Sequence, residues 1–264
     1  MAHSPVIGAT HDTPSRPRQF LKTRRHYNDY AIVQSHVGDR LWQSLDGDSP
    51  QHILDLGCGT GRWTACLAEA FSEADITAID FSAAMIEQAK KTLKNTAIRF
   101  EVGDIREVSF DRPFDLIVSN ASLHWCHPIA PLFKKYAAQL TPNGTMAASL
   151  YGPGTFCELS ASMAELSEAP IEISAVQFAS IETLSAAFRP LFSTVDIWQE
   201  IITQVYPDLR TLLRHIKKTG TQGTGLKNRG LWTPRFLDRL SKQYLHDHGQ
   251  FRCSSQIFYL KGRR

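Results

Sequence analysis

Between an apolar run and a helical one the chain reads Asp55-Leu-Gly57-Cys-Gly59-Thr-Gly61. Three glycines alternate there. Glycine tolerates positive φ and has no Cβ to hold a ligand off the backbone. A helix that starts at such a loop turns its unpaired N–H groups toward the loop's occupant. The spacing is G-x-G-x-G, not the G-x-G-x-x-G of dinucleotide enzymes. Asp55 stands two residues ahead of the first glycine, and an acid there suits a cationic ligand part better than a pyrophosphate. Asp80 follows 19 residues beyond Gly61, placed for the paired hydroxyls of a ribose. In Gly103-Asp104-Ile105 a third carboxylate can accept from an exocyclic amine such as adenine N6, with Ile105 and Met85 flanking the ring. Taken singly, each feature has a plainer reading: a tight turn, an N-cap, a turn residue. Together, at the ends of three successive strands, they point to one ligand site.

The elements that must position these residues alternate. Residues 51–56, 75–80, 97–102, 114–119 and 145–151 read as short strands, the fourth apolar apart from Asp115. Helical patterns stand between them at about 60–71, 82–93 (with Ser82 as N-cap) and 128–140, the last ending at a turn, Thr141-Pro-Asn-Gly144. Strand and helix in alternation with short connections give parallel βαβ units and an open, doubly wound α/β sheet. Near-continuous apolar strands fit a sheet covered on both faces. Ligands of such sheets lie beyond the carboxyl ends of the strands, where the three acids stand. After Gly154 the rhythm changes: helices at 156–168 and 180–189, a strand at 194–205, a basic amphipathic helix at 207–218, a Gly/Thr-rich loop at 219–225, a helix at 234–246 and a last strand at 255–261.

Composition narrows the class. The chain has 264 residues, 42% hydrophobic and 21% charged, ordinary for a globular protein able to bury its own core. No apolar run approaches the ~18 residues of a membrane span. Residues 1–18 are polar, without the apolar centre of a secretory signal, and read as a disordered leader. Five cysteines without a C-x-x-C pair favour reduced thiols in a cytoplasm over a zinc cluster or disulfides. Charge is uneven: residues 51–200 carry a balance of −8 and residues 201–264 one of +10. The basic quarter is either a solvated face or a docking surface for an acidic macromolecule.

Four segments, Ile53-Leu-Asp-Leu-Gly-Cys-Gly-Thr-Gly61, Ile79-Asp-Phe-Ser-Ala-Ala-Met85, Val102-Gly-Asp-Ile105 and Leu116-Ile-Val-Ser-Asn-Ala-Ser-Leu-His-Trp125, resemble the class I S-adenosylmethionine-dependent methyltransferases. The resemblance implies a Rossmann-like, seven-stranded sheet of order 3-2-1-4-5-7-6 with its last strand antiparallel, an N-terminal cap over 19–46, and a methyltransferase domain over 47–264 with a helical insertion at about 206–232. It also implies a cofactor site. The glycine loop (Gly57, Gly59, Gly61) and Asp55 hold the methionine end, Asp80 the ribose, and Asp104 the adenine. Phe81, Met85 and Ile105 stand beside them, and Asn120 to Leu123 line the place of methyl transfer. S-adenosylmethionine is the cofactor, S-adenosylhomocysteine the product, and no metal is expected.

The flanks narrow the resemblance. Phe20 to Gln34, Ser122-Leu-His-Trp-Cys126, Gly154-Thr-Phe-Cys-Glu-Leu159, Leu213 to Gly220 and Leu231-Trp-Thr-Pro234 look like the malonyl-acyl-carrier-protein O-methyltransferases of pimeloyl (biotin precursor) synthesis. The loop Thr219 to Lys227 is richer in Gly and Thr than that pattern. An already ionised malonyl carboxylate needs no general base. The sequence shows no Ser-His-Asp arrangement and no convergent carboxylate pair. For an amine or phenol acceptor, His124 is the nearby base. Tyr27, Asn120, His124 and Trp125 are expected around the acceptor. Their plainer readings are an aromatic staple for Tyr27, a backbone-capping amide for Asn120, a solvent-facing loop histidine for His124 and a core anchor for Trp125. The expected partner is acyl carrier protein bearing malonyl-phosphopantetheine. It would meet the helix carrying Arg210, Arg214, His215, Lys217 and Lys218, with Lys227 and Arg229 beyond; one or two of these cations could instead hold the substrate carboxylate. Neither nucleic acid nor membrane is expected. The competing readings are a small-acid or quinone-precursor methyltransferase and an RNA-binding or RNA-modifying protein.

Overall fold

The computed structural model describes residues 32–45, 49–93, 97–166, 174–218 and 232–264. The expected leader, Tyr27, Lys227, Arg229 and the loop 219–225 lie outside them, as does the side chain of Lys218. A helix α1 (Ile32–Gln43) precedes β1 (His52–Leu56), α2 (Arg62–Ala70), β2 (Asp75–Asp80), α3 (Ala83–Thr92), β3 (Arg99–Val102) and β4 (Phe114–Asn120). A 3₁₀ turn (Leu123–Trp125) leads to α4 (Ile129–Ala138), β5 (Leu140–Tyr151), α5 (Cys157–Leu166), α6 (Ile181–Phe188) and β6 (Thr194–Tyr206). Then come α7 (Leu209–Lys218), α8 (Pro234–His248) and β7 (Phe251–Arg263). The seven strands form one sheet of order β3-β2-β1-β4-β5-β7-β6. Strands β1 to β5 run parallel, and β7 pairs antiparallel with both β5 and β6. No described helix is long and apolar enough to cross a membrane.

Alternation along the strands fills both faces. Ile53, Leu116 and Val118 pack on one side with Val33, Val37 and Leu41 of α1 and Leu240 and Tyr244 of α8. Leu54, Leu56 and Ile117 pack on the other with Phe133 and Tyr136 of α4 and Phe188 of α6. This two-sided burial is what the near-continuous apolar strands require. The lone acid in β4, Asp115, ties three strand starts together: it accepts from the backbone N–H of Gln51 (2.9 Å) and His52 (3.0 Å) and from the Thr141 hydroxyl (3.0 Å). Burial works against its charge, yet these hydrogen bonds hold its pKa below the ordinary carboxylate value.

One element departs from expectation. Thr141-Pro-Asn-Gly144 is not a turn ahead of β5 but part of that strand. The ladder with β4 breaks after Phe114↔Leu140 and resumes at Leu116↔Thr145. Pro142 has no N–H to give the ladder, and Asn143 sits at φ 65°. The segment bulges outward and pairing continues beyond it.

Candidate active site

The glycine loop leaves the end of β1 and crosses the carboxyl edge of the sheet. Gly57 and Cys58 both donate their N–H to the Ile79 carbonyl at the end of β2 (2.8 and 3.0 Å). At Gly57, φ is 73°, and a Cβ would lie 1.9 Å from the Ser122 hydroxyl oxygen; no other residue fits there. At Gly59, φ is 56°, and a Cβ would meet nothing within 4 Å. Gly59 lines a cleft of about 700 Å³. Its wall includes Asp55, the loop glycines Gly57 and Gly59, Asp80, Phe81, Met85, Asn120 and Trp125. Gly61, at φ 76°, leads into α2, which begins without a side-chain cap.

The first two acids face this cleft in different states. Asp55 is buried, with Thr64 Oγ1 donating to its Oδ2 at 2.6 Å. Burial pushes its carboxyl up to about 7; the Thr64 hydrogen bond offsets part of the shift and the neighbouring Asp80 charge adds to it. Asp80 is held by backbone: Gly59 N–H donates to Oδ2 and Ser82 N–H to Oδ1, both at 2.9 Å. It does not cap the following helix, because Ser82 does so by accepting from the Met85 N–H. Phe81, 82% exposed, and Met85, 44% exposed, form an apolar lip beside it.

The third acid is engaged elsewhere. The Asp104 carboxylate takes a fork of hydrogen bonds from Arg106, Nε lying 2.9 and 3.0 Å from its two oxygens, and the Arg106 N–H adds another at 2.9 Å. These bonds and the Arg106 charge draw its pKa down to about 2. Neither Asp104 nor Ile105 belongs to the described cleft wall. The Ile105 side chain is buried, and its carbonyl accepts from Tyr136 Oη (2.7 Å) and Lys135 Nζ (3.0 Å). Leu123 is also absent from the wall and packs wholly in the core beside α4.

On the acceptor side, Asn120 closes β4. Its Oδ1 accepts from the Ser149 hydroxyl (2.8 Å) and its Nδ2 donates to the Gln34 carbonyl of α1 (3.5 Å). Its amide thus serves as a backbone tie and also lines the cleft. Trp125 lines it too and is 45% exposed, so it is no core anchor. His124 is neither a cleft residue nor a solvent-facing one. It is 3% exposed, among the rings of Trp125 (5.0 Å between centroids), Tyr151 (5.0 Å) and Phe178 (4.7 Å). Neither ring nitrogen has a hydrogen-bond partner. Burial, with a smaller contribution from His127, drives its pKa down to about 3. His215 likewise turns inward from the basic helix, leaving Arg210, Arg214 and Lys217 exposed on α7.

Several cleft residues escape sequence reading. Gln34 and Ser35 come from α1, and Arg62, Trp63 and Cys66 from α2. A glycine inside a helix is the signal for this contact. A Cβ on Gly38 would stand 2.8 Å from Trp63 Cδ1 and 2.9 Å from Asn120 Nδ2, and Trp63 Nε1 donates to the Gly38 carbonyl at 3.3 Å. Gly38 thus lets α1 lie close over the cleft. Among the described residues no cluster of three or more His, Cys, Asp or Glu could hold a metal ion. The open space at Gly59, the backbone-held Asp80 carboxylate, the buried Asp55 and the apolar lip fit the S-adenosyl group that the resemblance implies.

A family model described as a methyltransferase domain matches residues 53–144. The malonyl-[acyl-carrier protein] O-methyltransferase of Priestia megaterium is 32% identical over 88% of this chain and 91% of its own length. The enzyme of the same name from Geobacter sulfurreducens is 32% identical over 87% of this chain and 90% of its own. Among solved structures, the YcgJ protein of Bacillus subtilis superposes with a TM-score of 0.61 at 15% identity, covering 87% of this chain and 98% of that one. Haemonchus contortus phosphoethanolamine N-methyltransferase 2 in complex with S-adenosyl-L-methionine superposes with a TM-score of 0.55 at 19% identity, covering 87% of this chain and 52% of that one. At such identities the two structures speak for the fold.

Proposed function

The chain belongs to the malonyl-[acyl-carrier protein] O-methyltransferase family of S-adenosylmethionine-dependent methyltransferases, and from that premise we propose that it methylates the free carboxylate of a malonyl thioester on acyl carrier protein. The observation that carries this reading is kinship along nearly the whole chain, not along the cofactor half alone. The product is the malonyl-carrier methyl ester, the starting unit of pimeloyl synthesis in the resemblance drawn above.

When bound, S-adenosylmethionine supplies a methyl group on a sulfonium, open to in-line displacement by an oxygen nucleophile. The work of this chain is then placement and exclusion of water, which together supply up to ~7–11 kcal/mol in favourable systems. Asp80, already fixed by two backbone N–H groups, directs its remaining lone pairs to the ribose hydroxyls. Asp55 takes the ammonium of the methionine end. Gly59 leaves room for the ligand against the backbone. Phe81 and Met85 cover the base, and Asn120 and Trp125 wall the acceptor side.

The acceptor follows from what the wall offers. Among the described residues of the cleft there is no histidine or lysine, and His124 is sequestered from it. A carboxylate with a pKa near ~4 is ionised at neutral pH and attacks without losing a proton. An amine or phenol would need a base, and the wall carboxyl raised toward neutral pH, Asp55, is committed in this reading to the ammonium of the methionine end.

The test is turnover of purified malonyl-acyl carrier protein with methyl-labelled cofactor, followed by intact-mass spectrometry. The expected result is one labelled methyl per carrier, lost on mild ester hydrolysis. Label transferred only to free small acids, with none on the carrier, would overturn the reading.

A further inference from the structure

Glu200 is out of pattern. On β6 it stands in the row Trp198, Glu200, Ile202, Gln204, Tyr206, of which Trp198, Ile202 and Tyr206 pack against the apolar core beneath α1 and α8. Strand alternation calls for an apolar side chain there. Instead the carboxylate joins three partners from two other elements. His36 Nε2 of α1 lies 2.8 Å from Oε1. Arg40 Nε, also of α1, lies 3.7 Å from Oε2. Tyr259 Oη of β7 donates to Oε2 at 3.1 Å, and the Tyr259 ring is itself fixed by stacking on Trp198 (5.0 Å, 9°). A strand at the far edge of the sheet thus reaches across to the helix over the cofactor cleft.

His36 and Arg40 are four residues apart, so they share one face of α1. At ~100° per residue, His36 points about 200° around the helix from Gln34, which lines the cleft with Ser35. The bonds on the cleft side reach the α1 backbone and are long: Asn120 Nδ2 to the Gln34 carbonyl at 3.5 Å, and Trp63 Nε1 to the Gly38 carbonyl at 3.3 Å. Gly38 has no side chain to resist a roll of the helix. Val33, Val37 and Leu41 seat the buried face of α1 on the sheet, and the side-chain bonds of His36 and Arg40, on the side away from Gln34, converge on one carboxylate that adds a lock against roll.

We propose that Glu200 is a positioning residue of the active site: by gripping His36 and Arg40 it fixes the rotation of α1 that turns Gln34 and Ser35 into the cofactor cleft. The inference rests on the cleft being the cofactor site and is independent of the acceptor. Glu200 itself touches no cofactor; it acts through α1.

The experiment titrates S-adenosylhomocysteine into the full-length protein by calorimetry, with no acceptor present. Glu200→Ala is expected to weaken affinity by about tenfold and to raise KM for S-adenosylmethionine more than it lowers kcat. The double variant His36→Ala/Arg40→Ala is expected to show the same loss, and adding Glu200→Ala to it to lose nothing more, as a shared interaction requires. Glu200→Gln, which keeps an acceptor for Tyr259 and a polar partner for α1, is expected to recover part of the affinity. Hydrogen exchange reads the helix directly, and α1 amides are expected to exchange faster in Glu200→Ala. A purely structural role would lower the melting temperature and leave affinity intact, which would overturn the proposal, as would additive losses in the triple variant. A wild-type protein that binds no S-adenosylhomocysteine would instead count against the cofactor site itself.

Discussion

Asp55 and His124 are both buried and both shifted, and they call for opposite experiments. Burial raises Asp55 to about 7, so between its ordinary value and about 7 the folded protein binds more protons than the unfolded one. Stability from this group is therefore present below the unfolded value and is lost as pH rises through that window. A cationic ammonium needs the ionised carboxylate, so cofactor affinity should rise with pH from about 6 to about 8. Calorimetry with S-adenosylhomocysteine in that range checks the slope. In Asp55→Asn the slope should shrink to that of the ligand's own amine, with affinity lower throughout. His124 is neutral at any working pH, and its two unpartnered nitrogens cost the fold without reaching the cleft. His124→Phe should raise stability by about 1–3 kcal/mol while turnover of the malonyl carrier persists. A collapse of turnover with an intact fold would restore the base that the buried ring excludes. The sequence shows why this histidine misleads. Leu-His-Trp places it next to a true cleft residue, but the rings that enclose it, Tyr151 and Phe178, arrive from distant segments.

At the scale of elements, the strand tips were legible because local rules govern them. Asp55 and Asp80 end buried strands, and the glycines between β1 and α2 leave the loop one path. What escaped depends on partners that spacing does not encode. Asp104 sits at a strand tip like the other two, yet an arginine two residues on claims its carboxylate. Leu123 shares the segment of Asn120, but the 3₁₀ turn directs it into the core. The contribution of α1 to the cleft rests on Gly38, Trp63 and Asn120 meeting from three elements. The parallel βαβ pattern is legible in the residues, but the sheet order comes only through the family resemblance, whereas the bulge at Thr141 to Gly144 reads locally as a turn. Two glycines of the loop separate fold from binding in one experiment. Gly57→Ala drives a methyl group into Ser122 at positive φ and should destabilise the protein by about 2 kcal/mol or more. Gly59→Ala meets no protein atom within 4 Å, so it should cost only about 1 kcal/mol of backbone strain. Gly59 itself lines the cleft, however, and with a methyl group added there S-adenosylhomocysteine binding should fall by at least about tenfold. Thermal melts and titrations of the two variants side by side check the contrast.

Across the whole molecule, charge divides the labour that the fold unites. Residues 51–200, with a balance of −8, build the cofactor half, and residues 201–264, with +10, follow β6 into α7 and α8. Arg210, Arg214 and Lys217 are exposed on α7, while Leu212, His215 and Ile216 anchor its other side. An acidic carrier meeting that face would gain association rate more than lasting affinity, and the gain would fade as salt shortens the Debye length to about 8 Å at physiological ionic strength. Arg214→Glu/Lys217→Glu should therefore raise KM for malonyl-acyl carrier protein several-fold at low salt and leave kcat and S-adenosylhomocysteine affinity near wild type. Raising the salt should bring the two proteins together, because screening removes from the wild type the attraction that the variant lacks. A small-acid methyltransferase would give a different pattern. Its KM would ignore the charge reversal at every salt concentration, since a free acid reaches the cleft without a docking face. Steady-state kinetics at two ionic strengths, with the carrier-bound and a free malonyl thioester as acceptors, separates the two, because only the carrier-bound acceptor should respond to α7.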